Sequence, residues 1–378
     1  MPNELRISSE EILDCLSEGV YVCDRERRII YWSKSAERIT GWRSEDVLGR
    51  ACLEDILNHE DKDGHRLCGE EYCPLHRAMV TGVTTSVPVI VFALCKNGRR
   101  VPTQVTTAPI RNKAGEVIGG VETFRDVSPM LVDLERAKII QAQNLEQDLP
   151  DDPRLRFSTF FLSYDIVGGD YYALRKLDAD RYGFLLADME GHGVAAALYT
   201  MHLSILWNRH YRLLKNPAEF AAAVNRDLVQ IFGSVVTFAA AICGVVDARA
   251  GTLSFTGAGG PQPLIIRANW DVEHPKASGP PLGVVDDAPY KLQTVNLKPG
   301  DSILCFSDGA VEIQNASQKW LGVDGFTQIL KSLDYPRTEL RMDVLEEKLL
   351  KFSNDIRLQD DITIIEIQYL RSAASRES

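Results

Sequence analysis

The sequence predicts an α+β protein of two domains joined by a helix, and three observations carry that prediction. Residues 12–128 alternate short strands and short helices around a strong hairpin turn at Asn97-Gly98. Residues 129–149 contain no glycine and only the opening Pro129, among many strong helix formers. From about Leu155 onward the chain is strand-rich with two helical intervals, and several of its strands end in aspartate. At 378 residues, 45% hydrophobic and 25% charged, the chain has the balance of globular protein and length for two cores.

The expected N-terminal domain spans residues 8–128. "EEILDCLSEG" gives a short helix, "GVYVCD" and "RIIYWS" two strands across a charged turn, and Gly41 and Gly49 punctuate the short helices that follow. "VPVIVFALCKNG" and "RRVPTQVTTAPIRN" pair across the Asn97-Gly98 turn, and "VIGGVETFRDVS" follows the turn "KAGE". Two strands, small helices and a three-strand antiparallel return describe a small sensor barrel with a pocket. Over its whole length, "GVYVCD", "IIYWSKSAERITGW", "EDVLG", "KNGRRVP" and "VIGGVETFRDVS" resemble a PAS domain. That resemblance implies an α/β sensory module holding haem, flavin, a small metabolite or no ligand. No "NCRFLQ"-like flavin-cysteine motif is present, and the residues do not identify the ligand.

Residues 129–149 are expected to form a helical signalling linker. Met130, Ala137 and Asn144 recur every seven, with Leu134 between, which is a thin heptad fit for pairing in a homodimer. The same helix could instead pack on its own domain. "PDDP" at 150–153 stops it.

The second domain is expected over residues 150–371, with a disordered tail at 372–378. "RYGFLLADM" is a strand ending in an acid, "GVAAALYTMHLSILWNRHY" a long buried helix and "PAEFAAAVNRDLVQIF" an amphipathic one. "VVTFAAAICGVVDARAGTLSFTGAGG" is a hairpin of long apolar strands turned at "DARAG". "DSILCFSDG" is a strand ending in an acid, and "DDITIIEIQYL" runs from paired acids into a last strand.

Composition narrows the function. A net charge of −11 argues against a nonspecific grip on nucleic acid, which draws on clustered Lys and Arg. No apolar run reaches the length of a membrane span, and the N-terminus lacks the basic and apolar parts of a signal peptide. The expectation is therefore a cytoplasmic protein with no membrane or nucleic-acid partner. In that compartment the eight cysteines stay reduced. Cys68 and Cys73 lie among His59, His65 and His76, a candidate ligand cluster whose spacing matches no common zinc pattern. Cys243 and Cys305 sit in apolar runs and read as core.

Acids at strand ends or beside glycines mark the chemistry: Asp170 in "VGGDYY", Asp188 in "LADMEGHG", Asp308 in "FSDG", and Asp360 with Asp361 in "QDDIT". Strands that deliver carboxylates to one end of a sheet make a site for Mg²⁺ or Mn²⁺. Each Asp taken alone is better read as turn chemistry.

Together, in order, "LPDDPRLRFSTFFLSYDIVGGDYY", "LLADMEGHGVAAAL", "VVTFAAAICGVVDARAGTLSFTGAGGPQPLII", "LKPGDSILCFSDGAVEIQN" and "DDITIIEI" resemble the SpoIIE-type branch of the PPM metal-dependent Ser/Thr protein phosphatases, over residues 145–370. The resemblance implies an α-β-β-α phosphatase β-sandwich with two divalent cations, Mn²⁺ or Mg²⁺, in its cleft. It implies metal ligation by Asp170, Asp188, the Met189 carbonyl, Asp308 and Asp360, with Asp188 bridging, and it includes Asp361, whose counterpart is often Asn. It further implies direct attack of water on phosphorus, without a phosphoenzyme. His192 is either a proton donor to the leaving oxygen or a residue that shapes the turn.

Two positions depart from the family pattern: Gly260 stands where His is usual in "AGHPP", and Glu190 adds charge in "DMEGHG". Neither removes an implied ligand. The implied substrate is a phosphorylated STAS-domain anti-anti-sigma factor in a partner-switching pathway. A catalytically weak phosphatase-like binding module is the rival, against which the five intact acids speak. "VGGDYY" superficially resembles the GGDEF signature of cyclic-dinucleotide synthases, but that reading leaves "GHG", "SDG" and "DDIT" unexplained.

Overall fold

A computed structural model describes residues 8–54, 56–62, 64–69, 72–85, 89–145, 148–191, 193–233, 237–353 and 360–370. The chain divides into two compact units, Met1–Asp133 and Leu134–Ser378.

In the first unit α1 (Ser9–Asp14) opens on a capping box, in which Ser8 and Glu11 each receive the other's backbone N–H. β1 (Gly19–Asp24) and β2 (Ile29–Trp32) pair, and α2 (Lys34–Thr40), α3 (Ser44–Val47) and α4 (Pro74–Thr81) follow. Ser33 caps the start of α2 through the Ala36 N–H, and Gly41 ends it in the left-handed conformation. β3 (Val89–Leu94), β4 (Arg100–Arg111) and β5 (Val117–Asp126) complete an antiparallel sheet of order β2-β1-β5-β4-β3. The hairpin turn falls where Asn97-Gly98 places it, with Gly98 at φ 82°.

The expected barrel is instead an open sheet. β2 is four residues long, and the chain between β2 and β3 lays Ala36, Val47, Ile56 and Leu75 against Tyr21, Trp32 and Phe124. The sheet thus buries one face under helices and leaves β2 and β3 as its edges.

α5 (Ser128–Leu145) occupies much of the expected linker, and the division between the units falls inside it. Gln141 and Leu145 are buried, with Leu145 in a core of the second unit, so the end of the helix belongs to that unit. Leu134 and Ala137, two of the expected seam residues, are half-buried, whereas Val132 and Ile139, also seven apart, are exposed.

The second unit begins with β6 (Leu155–Leu162), β7 (Asp170–Lys176) and β8 (Arg181–Met189), followed by α6 (Val194–His210) and α7 (Pro217–Phe232). β9 (Ala239–Asp247), β10 (Thr252–Ala258), β11 (Leu264–Ile266), β12 (Val272–Glu273), β13 (Gln293–Asn296) and β14 (Ser302–Phe306) come next. The described chain ends with α8 (Gly322–Ser332), α9 (Met342–Ser353) and β15 (Ile362–Tyr369). Two five-stranded sheets result, β13-β10-β9-β8-β7 and β12-β11-β14-β15-β6.

Period-two alternation sorts their side chains. On β8, Tyr182, Phe184 and Leu186 join Phe255, Cys305, Ile365 and Ile367 between the sheets, while Leu185, Ala187 and Met189 meet Leu203, Trp207 and Phe220 of the α6–α7 layer. On the far side Leu304, Phe306 and Ile364 pack under Phe326, Leu330 and Leu345 of α8 and α9. The layers are therefore α-β-β-α. Burial on both faces explains runs such as "YGFLLA", whose lack of polar positions hides the strand period. α6 is less buried than its apolar sequence suggests: Val194, Leu198 and Ile205 are exposed along one side. The tail 372–378 lies outside the described residues.

Candidate metal centre and active site

The same alternation positions the acids. Asp170 continues the parity of Tyr172 and Leu174 on β7, and Asp188 that of Leu186 on β8, so both belong to the face between the sheets. The register sets them directly opposite each other. From the second sheet, Ser307 follows the parity of Ile303 and Cys305, and Thr363 and Asp361 that of Ile365. Asp308 and Asp360 adjoin these residues, in the turn after β14 and just before β15. The cluster therefore sits at one end of the cleft between the sheets.

Close packing at Gly309 joins the two strands of that second wall. A Cβ there would stand 2.0 Å from the Asp361 carbonyl oxygen and 3.3 Å from the Asp360 Cβ, so only glycine lets the Asp308 turn close on the start of β15. On the opposite wall, Gly191 and Gly193 at φ 86° and 82° turn the chain from β8 into α6.

Like charges directly across a ladder repel, and burial disfavours their ionised form. Asp170 is 1% exposed; burial, then Asp361 and Asp360, drive its carboxyl well above the usual range, against a hydrogen bond from Thr363. Burial and the neighbouring Asp170, Asp308 and Asp360 push Asp188 up to about 10. Asp170 Oδ1 and Asp308 Oδ1 are buried without a hydrogen-bond partner, and among the described residues no Lys, Arg or His forms an ion pair with Asp170, Asp188 or Asp308. Such a cluster lacks a cation, and carboxylate oxygens are the donors that hard divalent ions take. The residues fit Mg²⁺ or Mn²⁺. Among the described residues no group of three His, Cys, Asp or Glu side chains is closed up enough to grip an ion as it stands, so the acids converge without yet forming a coordination sphere.

The remaining candidates divide. Met189, the last residue of β8, is buried, and its carbonyl oxygen lies 3.3 Å from where a Cβ on Gly169 would stand. Asp361 is 2% exposed, with both carboxylate oxygens engaged by backbone: Oδ1 accepts the Tyr164 N–H at 2.7 Å and Oδ2 the Gly169 N–H. Those bonds hold the loop that leads into Asp170. His192 lies outside the described residues.

Sequence reasoning missed Thr363, whose hydroxyl donates to Asp170 Oδ2, and Ser307, whose Oγ accepts the Thr363 N–H at 2.9 Å. The readable signal was the two-residue spacing from Asp361 to Thr363, which puts both on one face. In the first unit the cysteine–histidine cluster does not assemble as a whole. His59 is buried and donates its backbone N–H to Cys68 Sγ, but His65 is turned outward beside Asp61. All eight cysteines are free.

Comparison with known proteins supplies the family. A model of Stage II sporulation protein E (SpoIIE) matches residues 178–370, and a PAS-fold model matches residues 13–129. The chain belongs to the SpoIIE family. These are PP2C-type Ser/Thr phosphatases, and PP2C phosphatases use divalent metals, as the acid cluster of this SpoIIE-family chain would require.

Phosphoserine phosphatase RsbP of Bacillus subtilis is 24% identical over 184 residues, covering 48% of this chain and 45% of the relative. Protein IcfG of Synechocystis is 23% identical over 263 residues, covering 62% of this chain and 41% of the relative. The match thus spans less than half the length of either relative. Among solved structures, the SiaA-PP2C domain of Pseudomonas aeruginosa aligns with a TM-score of 0.56 at 24% identity, covering 64% of this chain and 97% of that one. The RsbU and RsbW domains of Rv1364c from Mycobacterium tuberculosis align at 0.51 and 24%, covering 60% and 63%. Both similarities bear on the fold, PP2C-like in the second unit.

Proposed function

We propose that this SpoIIE-family chain is a PAS-regulated, metal-dependent protein phosphatase that hydrolyses phosphoserine or phosphothreonine on a STAS-domain protein in a partner-switching pathway. The observation that carries the catalytic reading is the convergence of Asp170, Asp188, Asp308 and Asp360 at one end of the cleft, with buried carboxylate oxygens lacking partners on Asp170 and Asp308. When bound, two divalent cations supply charge for the phosphoryl oxygens and lower the pKa of an attacking water. Asp188 stands opposite Asp170 on the neighbouring strand and within charge interaction of Asp308 from the other sheet, so it would be among the residues that hold the cations. The Thr363 hydroxyl fixes one oxygen of Asp170 and leaves the other for a cation. Asp361 holds the Asp170 loop through two backbone amides.

The phosphoserine specificity rests on the likeness to RsbP, and the STAS substrate on the motif order set out above. Incubating the full chain with a phosphorylated STAS-domain protein and Mn²⁺ should release inorganic phosphate, and Asp188→Ala or Asp308→Ala should abolish release while the circular dichroism stays unchanged. Undiminished release in both variants would overturn the two-metal reading.

A homodimer through the N-terminal unit and α5 is supported by the exposed Val132 and Ile139. Ile139→Glu should then convert a dimer to a monomer in sedimentation; a wild-type chain that sediments as a monomer contradicts the dimer. A cytoplasmic location is supported by the free cysteines, and among the described residues no helix is long and apolar enough to cross a membrane.

A further inference from the structure

Gln141 is a polar residue on a face of α5 that is otherwise apolar: it is 4% exposed and shares that face with Leu134, Ala137 and Leu145. Its side-chain amide pairs both ways with one backbone residue. Oε1 accepts the Gly168 N–H at 3.0 Å, and Nε2 donates to the Gly168 carbonyl at 2.7 Å. Nε2 also lies 3.3 Å from Thr200 Oγ1 on α6. A side chain here does what a neighbouring strand does in a ladder.

The paired residue stands two positions before Asp170. The next residue, Gly169, gives its N–H to Asp361 and receives the Met189 N–H on its carbonyl at 3.1 Å. All four backbone polar groups of Gly168 and Gly169 are thus satisfied, and α5 supplies two of the partners. Removing Gln141 would leave a buried N–H and a buried carbonyl unpaired, which favours rearrangement of this loop.

We propose that Gln141 is a positioning residue through which α5 sets the affinity of the Asp170 side of the centre for its divalent cation. The proposal rests on the two-metal reading above. When α5 is docked, the Gly168 peptide groups are fixed and Asp170 enters β7 beside Asp188; when α5 leaves, Gly168 loses both partners and the Asp170 backbone is freed. Groups that orient metal ligands in this way commonly change metal affinity by about 10–100-fold when removed. α5 follows directly on β5 in the chain, so the clamp makes the centre sensitive to the state of the helix that leads out of the PAS domain.

The test uses the metal-stripped full chain as wild type, Gln141→Leu and Gln141→Glu. Glu keeps the acceptor for the Gly168 N–H and loses the donor to its carbonyl. Hydrogen exchange at the amides of Gly168, Gly169 and Asp170 should be fastest in Gln141→Leu and intermediate in Gln141→Glu. Mn²⁺ affinity by titration calorimetry should fall by about tenfold or more in Gln141→Leu and by less in Gln141→Glu. A merely structural glutamine would lower the melting temperature without selective exchange at these amides or a change in affinity, and that result overturns the proposal. If Gln141→Leu does not fold, the same two readouts on Gln141→Glu decide it. A wild-type chain that takes up no Mn²⁺ overturns the two-metal reading and the affinity claim with it; normal uptake with unchanged exchange overturns the clamp alone.

Discussion

Both units of this protein bury carboxyl groups, and they deal with the cost differently. In the first, Glu122 on β5 is fully buried, faces Tyr21 across the ladder, and has both oxygens without a hydrogen-bond partner. His59 Nε2 stands 3.6 Å away and is itself buried. Desolvation drives the Glu122 carboxyl well above its usual range and holds the His59 imidazole down to about 4, so burial favours the uncharged form of each neighbour. In the second unit several acids meet from two sheets, and a cation is the economical way to relieve their repulsion. A single buried acid can solve its problem by keeping its proton. Convergence from different strands, with backbone anchored behind it, is what distinguishes a metal centre.

The largest expected effect breaks the second region alone. Asp188→Ala should lower phosphate release by more than about 100-fold, beyond what outer-shell changes produce, whereas Glu122→Gln should leave the rate within about twofold at saturating metal. Comparable losses in both would erase the distinction. Thr363→Val, which removes the hydroxyl that fixes Asp170, should raise the Mn²⁺ needed for half-maximal rate by about tenfold. An unchanged requirement would remove Thr363 from the centre.

Metal should also separate the units in stability. Mn²⁺ at about a hundred times its dissociation constant should add about 2.7 kcal/mol to the second unit for each ion bound, read by hydrogen exchange, and leave exchange around Glu122 unaltered. Protection that rises equally in both units would contradict a site confined to the second.

The smallest effect concerns pH. The folded chain holds the Glu122 proton to higher pH than the unfolded chain, which loses it above about pH 4.3, so its contribution to stability falls as pH rises beyond that point. His59 acts oppositely: the unfolded ring takes up a proton below about 6.5 and the folded ring does not, so its contribution falls as pH drops from about 6.5 towards 4. Glu122→Gln removes the first contribution, and its melting temperature relative to wild type should climb between pH 5 and pH 8. A difference that stays flat over that interval would mean that Glu122 is ionised in the folded state as it is in the unfolded one.

How much of this was legible depended on whether a feature was local. The Asn97-Gly98 hairpin, the strand ending in Asp188 and the helix over 217–232 follow from neighbouring residues, and the structure has them. The acids could be picked out because each sits beside glycine or at a strand end. Their convergence required two sheets to pack face to face, which the doubly buried runs of β8 and β15 do not signal by period. The layer of α8 and α9 went unread, as did β6, whose side chains are mostly half-buried. The open edges of the first sheet depend on how the helices after β2 fold back, and the docked end of α5 on Gln141 and Leu145 finding partners elsewhere in the chain. Asp361 shows a role that depends on long-range packing: its two backbone hydrogen bonds appear only once the Asp170 loop is in place.

Titration calorimetry of the metal-stripped full chain with Mn²⁺ addresses the central claim most directly. Two ions should bind per wild-type chain, the same two in Glu122→Gln, and at least one should be lost in Asp188→Ala. Unaltered binding in Asp188→Ala, or loss of binding in Glu122→Gln instead, would contradict the assignment of the metal centre to the converging acids of the second unit.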